Sequence, residues 1–165
     1  MTPQTVPDAV FHTRMRNPDL AGDNPFEWKQ LSTSDVFAGK RVVVFALPGA
    51  FTPACSESHL PGYEQLYDAF TAQGVDGIVC VAVNDAFVMG AWGQNQNAEE
   101  ILMLADGNGD FTSAIGLELD ASGFGMGKRA QRFGMIVEDG TVTYLGVEAP
   151  GEIKVSSAET MLEQL

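Results

Sequence analysis

The chain alternates between short apolar runs and longer segments in which apolar residues recur every three or four positions. The short runs are rich in β-branched and aromatic residues, which is typical of strands, whereas the longer segments are typical of amphipathic helices. Strands are predicted over residues 10–15, 26–31, 42–47, 78–83, 101–105, 133–137 and 142–147, and helices over 32–37, from 53 to near 74, over 86–94 and from about 157. This alternation predicts an α/β fold.

Local signals refine the prediction. Asp139-Gly140, between the last two predicted strands, is typical of a two-residue hairpin. Pro61 predicts an interruption or bend in the helix that begins after residue 52. Residues 119–124 are predicted to form a loop. Five residues of the bent helix recur at helical spacing and should face the core: Leu60, Tyr63, Leu66, Tyr67 and Phe70. Because no repeat, linker or low-complexity segment is found, we expect a single domain over residues 1–165.

The charge balance narrows the possible partners. The chain has 165 residues and a formal net charge of −13, so nucleic-acid phosphates and anionic membranes are not expected partners. The longest apolar run, residues 42–47, is far shorter than a membrane span. The first residues lack the basic and apolar segments of a signal peptide. With two cysteines and no paired spacing, we expect a reducing, cytoplasmic location.

One of the two cysteines lies in a position that favours chemistry. The string PGAFTPAC, residues 48–55, follows the strand predicted over 42–47. Thr52 precedes a proline, which pushes its backbone out of the α region as an N-cap requires, and Pro53 suits the first helical position. Cys55 would then lie third in the first turn. There the free N–H groups and the helix dipole favour the thiolate, the reactive form of cysteine.

These residues resemble the peroxiredoxins, specifically the type II (Prx5-like) branch. Pro48, Thr52 and Cys55 match the pattern of the whole family, and PGAFTPACSESHLPGY, residues 48–63, is similar to the type II version almost letter for letter. Further similarities follow in order at residues 81–89, 106–110 and 129–133. The resemblance implies a single thioredoxin-like domain with a central mixed β-sheet flanked by helices. It also implies a thiol peroxidase that reduces hydrogen peroxide and organic hydroperoxides through a cysteine sulfenic acid, without a cofactor.

The resemblance also implies roles for the residues around the cysteine. Pro48 would shield the thiolate from water, Thr52 would cap the helix and hydrogen-bond the peroxide, and Arg132 would supply a permanently charged guanidinium. Arg129 would either support the site or form a surface salt bridge. We expect His59, one helical turn after the cysteine, to bond the local backbone or to support the site from behind the reacting residues, rather than to act as a protease base.

The second cysteine, Cys80, lies inside an apolar run. It could be a resolving cysteine that attacks oxidised Cys55, but a buried apolar thiol is a poor nucleophile and usually fills space. We favour the packing role. Relatives with an internal resolving cysteine carry it near the C-terminal helix, where this chain has Lys-Val-Ser-Ser at residues 154–157. The resemblance therefore implies a one-cysteine cycle completed by an external thiol, with glutathione, glutaredoxin or thioredoxin as reductant.

Three aromatic residues have two possible roles. Phe51, Phe87 and Trp92 could lie in the core, or they could line the active-site rim and a subunit contact. The resemblance to type II peroxiredoxins implies a homodimer that packs through the edge containing the active-site loop. The sequence favours neither role for these side chains.

Other motif matches are weak. Residues 125–130 mimic a dinucleotide-binding string but lack a preceding strand and a following helix. Residues 106–110 mimic the start of a calcium loop, although the later glycine and glutamate are replaced. Two separated histidines do not predict a zinc site. A dithiol oxidoreductase would need a cysteine in place of Thr52. A non-catalytic redox sensor or binding protein on the same fold remains the alternative function.

Overall fold

A mixed seven-stranded sheet forms the centre of the computed structural model, which describes residues 5–23 and 25–165. In spatial order the strands are β2 (Phe26–Ser32), β1 (Val10–Arg16), β5 (Ile101–Ala105), β4 (Gly77–Ala82), β3 (Arg41–Ala46), β8 (Phe133–Glu138) and β9 (Thr141–Val147). The three central strands β5, β4 and β3 run parallel to one another, and all other neighbouring strands pair antiparallel. A separate antiparallel pair joins β6 (Glu118–Asp120) to β7 (Lys128–Ala130).

Helices cover both faces of the sheet. They are α1 (Thr33–Phe37), α2 (Leu60–Gln65), α3 (Tyr67–Ala72), α4 (Ala86–Asn95), α5 (Asp110–Ala114) and α6 (Ala158–Glu163). A π-helical turn, Cys55–His59, immediately precedes α2, and a 3₁₀ turn covers Ser122–Phe124. The prediction of an α/β domain with a central mixed sheet and flanking helices is confirmed.

The central strands are apolar throughout because both of their faces are buried. On β3, Val43 and Phe45 face a core shared with the cysteine-bearing helix, α4 and α6, while Val42 and Val44 face a second core shared with α1 and α5. The cysteine-bearing helix contributes to the first core as its spacing predicts. Three of the five expected residues (Leu60, Tyr63 and Phe70) are buried, and the other two (Leu66 and Tyr67) pack partly buried against them.

The helix that follows residue 52 is irregular in two places. The Leu60 N–H bonds the Cys55 carbonyl five residues back, so the turn before Pro61 is wider than an α-helical turn. Pro61 has no N–H to continue a regular ladder, but the helix continues through it into α2, so the structure has an irregular turn before this proline and no interruption at it. The helix breaks at Leu66, where ψ is 9°, and this break separates α2 from α3. Leu66 is neither a proline nor a glycine, so the sequence does not predict the break.

The prediction of a loop over residues 119–124 is wrong in part. The segment begins in β6 and continues into the 3₁₀ turn. Gly125 and Gly127 have φ values of 71° and 67°, a left-handed conformation that glycine adopts without strain, and they turn the chain back into β7. Each of these strands has only three residues, which is too short for an alternating pattern to be detected.

The expectation about a signal peptide falls partly on residues 1–4, which lie outside the described residues. Within residues 5–23 and 25–165, no helix combines the length and apolar character needed to cross a bilayer.

Candidate active site

The loop that follows β3 contains the string PGAFTPAC at residues 48–55. It leaves the carboxyl end of β3 beside the carboxyl end of parallel β4, whose following loop supplies Asn84. The Asn84 side-chain oxygen accepts a hydrogen bond of 3.0 Å from the Ala50 N–H. Phe51 adopts φ of 66°, an uncommon left-handed conformation for a bulky residue, as the loop turns into the helix. Two neighbouring strands therefore fix the loop.

Thr52 lies at the helix start, but its side chain does not cap the helix. The helix runs from Pro53, and its first turn closes with the Ser56 N–H donating to the Thr52 carbonyl at 3.0 Å. The Thr52 hydroxyl donates instead to the Gly49 carbonyl at 2.7 Å. The predicted position of Thr52 is confirmed, but the predicted side-chain cap is wrong: among the described contacts the hydroxyl bonds the loop before the helix, and no N–H of the first turn donates to its oxygen.

Cys55 lies fully buried beneath this loop, and Arg132 reaches its sulfur. Arg132 Nη2 donates to Cys55 Sγ at 3.1 Å although the residues are 77 positions apart. The antiparallel register explains the encounter, because Phe133 at the start of β8 pairs with Ala46 at the end of β3. The residue before Phe133 therefore lies beside the loop that follows Ala46. The structure brings together the nucleophile and the cation that the sequence proposed.

His59 holds the other nitrogen of this guanidinium. Its Nδ1 lies 2.7 Å from Arg132 Nη1, and its Nε2 lies 2.9 Å from the Ser156 carbonyl oxygen. Because the guanidinium only donates and the carbonyl only accepts, the ring is neutral with its proton on Nε2. Burial, with the nearby Arg132 charge, lowers the pKa of His59 to about 4, against a partial opposing effect of the Ser156 hydrogen bond. The expectation of a purely local backbone bond is wrong, since Ser156 is 97 residues away.

Two residues that sequence reasoning missed, Ser156 and Glu148, extend the site. The Ser156 carbonyl also accepts a hydrogen bond from the Tyr63 hydroxyl. The Ser156 N–H and hydroxyl both donate to Glu148 Oε2, at 2.9 Å and 2.6 Å. Burial raises the pKa of Glu148, but hydrogen bonds from Ser156, Lys154 and Val155 outweigh it and hold that pKa below its usual value. Both residues lie in a segment without a recognisable motif.

Arg129 braces the active-site loop rather than forming a surface salt bridge. Its Nε donates to the Met126 carbonyl at 2.9 Å, and its Nη1 lies 3.4 Å from the Pro48 carbonyl oxygen. A Cβ built on Gly49 would lie 3.0 Å from Arg129 Nη1, so the glycine permits this close approach. Of the two alternatives left open by the sequence, the structure favours support of the site.

Cys80 lies on β4 and faces the same core as Cys55. Both thiols are buried and free. Burial, with the proximity of Cys55, raises the pKa of Cys80 well above its usual value. The neutral thiol of Cys80 is therefore packed in the core, as a small apolar side chain would be.

The three uncertain aromatic residues divide between core and surface. Trp92 is fully buried, and its Nε1 donates to Ser56 Oγ at 2.9 Å, which ties α4 to the helix of Cys55. Phe51 and Phe87 are 53% and 58% exposed. Phe87 lies against Trp28, which is 50% exposed, with ring centroids 5.4 Å apart. Trp92 is a core residue, Phe87 forms an exposed aromatic pair with Trp28, and Phe51 is exposed in the active-site loop.

Comparisons with known proteins agree with this geometry. The Redoxin family model matches residues 5–162. A peroxiredoxin of Synechocystis sp. is 45% identical over 100% of this chain and 91% of its own length. The crystal structure of reduced Prx3 from Vibrio vulnificus, in complex with hydrogen peroxide, is 53% identical, with a TM-score of 0.87 over 99% of this chain and 95% of that one. The 1-Cys peroxiredoxin of Plasmodium falciparum is 30% identical, with a TM-score of 0.89 over 96% of each chain.

Proposed function

The chain belongs to the peroxiredoxin family, has the thioredoxin-like fold of that family and is a thiol peroxidase, and on this basis we propose that Cys55 is its peroxidatic nucleophile. The observation that carries the assignment is the 3.1 Å contact between Arg132 Nη2 and Cys55 Sγ at the start of a helix. A guanidinium and a helix N-terminus both favour the anionic form of sulfur. The substrates are hydrogen peroxide and organic hydroperoxides.

The reaction is a displacement at oxygen. The Cys55 thiolate donates an electron pair to one peroxide oxygen, the O–O bond breaks, and the other oxygen leaves as hydroxide or alkoxide, which is then protonated. The sulfur is thereby oxidised to a sulfenic acid. Arg132 stabilises the negative charge as it moves from sulfur to the leaving oxygen. Because Thr52 already donates its proton to Gly49, its hydroxyl oxygen is free to accept a hydrogen bond from the peroxide O–H.

Two further residues hold the reaction centre in place. Pro48 shields the sulfur from water at the loop, and Arg129 fixes the Pro48 carbonyl from the opposite side.

Cys55→Ser tests the assignment of the nucleophile, because a hydroxyl is far less ionised than a thiol. The variant should keep the wild-type circular dichroism spectrum and consume no hydrogen peroxide with a thiol donor present. Peroxide turnover by Cys55→Ser would refute the assignment.

The catalytic cycle uses one cysteine and is completed by an external thiol. Two observations support this proposal: Cys80 is a buried thiol on a strand, and residues 154–157 carry serines but no cysteine. The similar Plasmodium protein is a 1-Cys peroxiredoxin by name. The reductant is glutathione with glutaredoxin, or thioredoxin, and turnover measured with each donor separately identifies which.

One equivalent of peroxide tests the one-cysteine cycle directly. Without added thiol it should give a sulfenic acid on Cys55 that dimedone traps. With glutathione and glutaredoxin supplied, Cys80→Ser should turn over at the wild-type rate. A rapid crosslink between Cys55 and Cys80 within one chain, seen by non-reducing mass spectrometry, would contradict the proposal.

We propose that the protein is a cytoplasmic homodimer, and three exposed aromatic side chains, Trp28, Phe51 and Phe87, support the dimer. Each of these side chains is at least half exposed, and apolar surface of this kind is stabilised by coverage. Sedimentation at micromolar concentration should give twice the mass of the chain, and Phe87→Glu should shift the protein toward monomer because it places a charge in the contact. A monomer in both redox states would refute the dimer.

A further inference from the structure

The carboxylate of Glu148 is bound by an unusually complete set of donors. Oε2 accepts from the Lys154 N–H at 2.6 Å, the Ser156 N–H at 2.9 Å and the Ser156 hydroxyl at 2.6 Å, while Oε1 accepts from the Val155 N–H at 3.2 Å. Three successive backbone N–H groups therefore converge on one side chain that is nearly buried. This carboxylate fixes the conformation of residues 154–156.

Two glycines on adjacent strands make room for the same segment. Gly134 on β8 and Gly146 on β9 are direct cross-strand partners. A Cβ on Gly134 would lie 3.1 Å from Ser156 Cα, and a Cβ on Gly146 would lie 2.8 Å from the Val155 carbonyl oxygen. Neither glycine has a positive φ, so close approach rather than backbone conformation accounts for them. The backbone of residues 155–156 therefore lies so close to the sheet that a side chain on Gly134 or Gly146 would meet it.

We propose that Glu148 is a positioning residue for the peroxidase reaction, acting on Arg132 through Ser156 and His59. Glu148 holds Ser156, the Ser156 carbonyl accepts from His59 Nε2, His59 Nδ1 accepts from Arg132 Nη1, and Arg132 Nη2 reaches Cys55 Sγ. We call Glu148, Ser156, His59 and Arg132 the Glu148 network. The inference rests on the roles of Cys55 and Arg132 proposed above.

The geometry makes each link directional. A neutral imidazole accepts at Nδ1 only if it donates at Nε2, so the position of the Ser156 carbonyl decides which ring nitrogen faces Arg132. One guanidinium edge is then fixed by His59, and the planar fork directs the neighbouring nitrogen toward the sulfur. Arg132 is tied to Glu148 a second time, because the Glu148 N–H donates to the Arg132 carbonyl at 2.9 Å. Displacement of Ser156 would therefore release the guanidinium from its orientation without removing its charge.

The test compares two substitutions that remove one carboxylate each from the same loop. Glu148→Gln replaces an acceptor by an amide whose NH₂ faces backbone donors. Glu152→Gln is the matched control, since the exposed Glu152 side chain bonds only the Lys154 ammonium among the described side chains. The rate of Cys55 oxidation is measured by stopped flow with hydrogen peroxide as the probe. Glu148→Gln should slow oxidation on the order of tenfold, because a misplaced guanidinium stabilises less well the charge that moves from sulfur to the leaving oxygen. Glu152→Gln should match wild type.

The same substitution in an Arg132→Ala background separates positioning from general damage to the fold. If Glu148 acts through Arg132, then Glu148→Gln should cause no further loss there. A loss of equal size in both backgrounds, or a wild-type rate for Glu148→Gln alone, would overturn the proposal. If Glu148→Gln does not fold, Ser156→Ala provides the same comparison with a smaller expected loss of about threefold. If Arg132→Ala itself oxidises at the wild-type rate, the role proposed for Arg132 fails, and the network fails with it.

Discussion

Acidification should destabilise this protein in part through His59. His59 is 1% exposed, and its pKa in the folded protein is about 4 instead of 6.5, with burial as the largest cause. Between these two pH values the unfolded chain binds a proton on His59 and the folded chain does not, so stability falls as the pH falls. The contribution is fully present above pH 6.5 and is lost as the pH approaches 4.

The magnitude follows from the two pKa values. A difference of one pKa unit corresponds to roughly 1.4 kcal/mol. The difference between 6.5 and about 4 therefore corresponds to about 3 kcal/mol of unfolding free energy. Most of this, about 2 kcal/mol, should be lost between pH 7 and pH 4.5. Protonation would also place a second cation against Arg132 and remove the acceptor at Nδ1, which adds to the larger cost of burying the charged imidazole.

Urea unfolding curves of wild type and His59→Gln at pH 7 and pH 4.5 measure this contribution. The variant is destabilised at neutral pH by lost contacts, but its loss on acidification should be smaller than that of wild type by about 2 kcal/mol. Tyr63→Phe is the matched control: it removes a hydrogen bond to the same Ser156 carbonyl without removing a group that titrates in this range. It should keep the wild-type pH dependence. Equal pH dependence in wild type and His59→Gln would refute the reasoning.

Two further predictions concern the cation and the sheet. Arg132→Ala should slow oxidation by peroxide about 100-fold, since it removes the donor at the sulfur, whereas Arg129→Ala, which loses only contacts to carbonyls of the loops, should cost less than tenfold by stopped flow; the reverse order would contradict the assignment. Gly146→Ala should lower the unfolding free energy by about 2 kcal/mol because its Cβ would meet the Val155 carbonyl. Gly77→Ala, in a strand with nothing within 4 Å of the new carbon, should be neutral or slightly stabilising.

The sequence predicts what local patterns determine. Thr52 and Pro53 mark the helix start, Pro61 marks the irregular turn that precedes it, and Asp139-Gly140 marks the last hairpin, because each acts through the backbone within a few residues. The cap by the Thr52 side chain was predicted wrongly because the residue type and its place before a proline do not determine where the hydroxyl points, and in the structure it points back to the Gly49 carbonyl. Arg132 was identified only through family resemblance, because its encounter with Cys55 depends on a strand register set 77 residues away.

The outer part of the site lies beyond what such patterns reveal. Ser156 contributes a main-chain carbonyl, which every residue type possesses, so its identity carries no signal for this contact. Glu148 resembles any acidic residue at a strand end. The sequence does contain one signal of this segment, the glycines Gly134 and Gly146. A glycine inside a predicted strand indicates that another backbone approaches closely. The sequence could have located a close approach there, but not the segment that makes it.

The buried Trp92 indole, a natural fluorophore, is hydrogen-bonded to Ser56, the residue that follows Cys55 in the chain. The only other tryptophan, Trp28, is half exposed and lies across the surface against Phe87. Within one chain the two indoles therefore lie in different environments, and Trp92 is expected to emit at shorter wavelength than Trp28. A rearrangement of the first helical turn that displaces Ser56 should change the Trp92 emission, so the fluorescence of Trp92 is expected to report on movement beside Cys55.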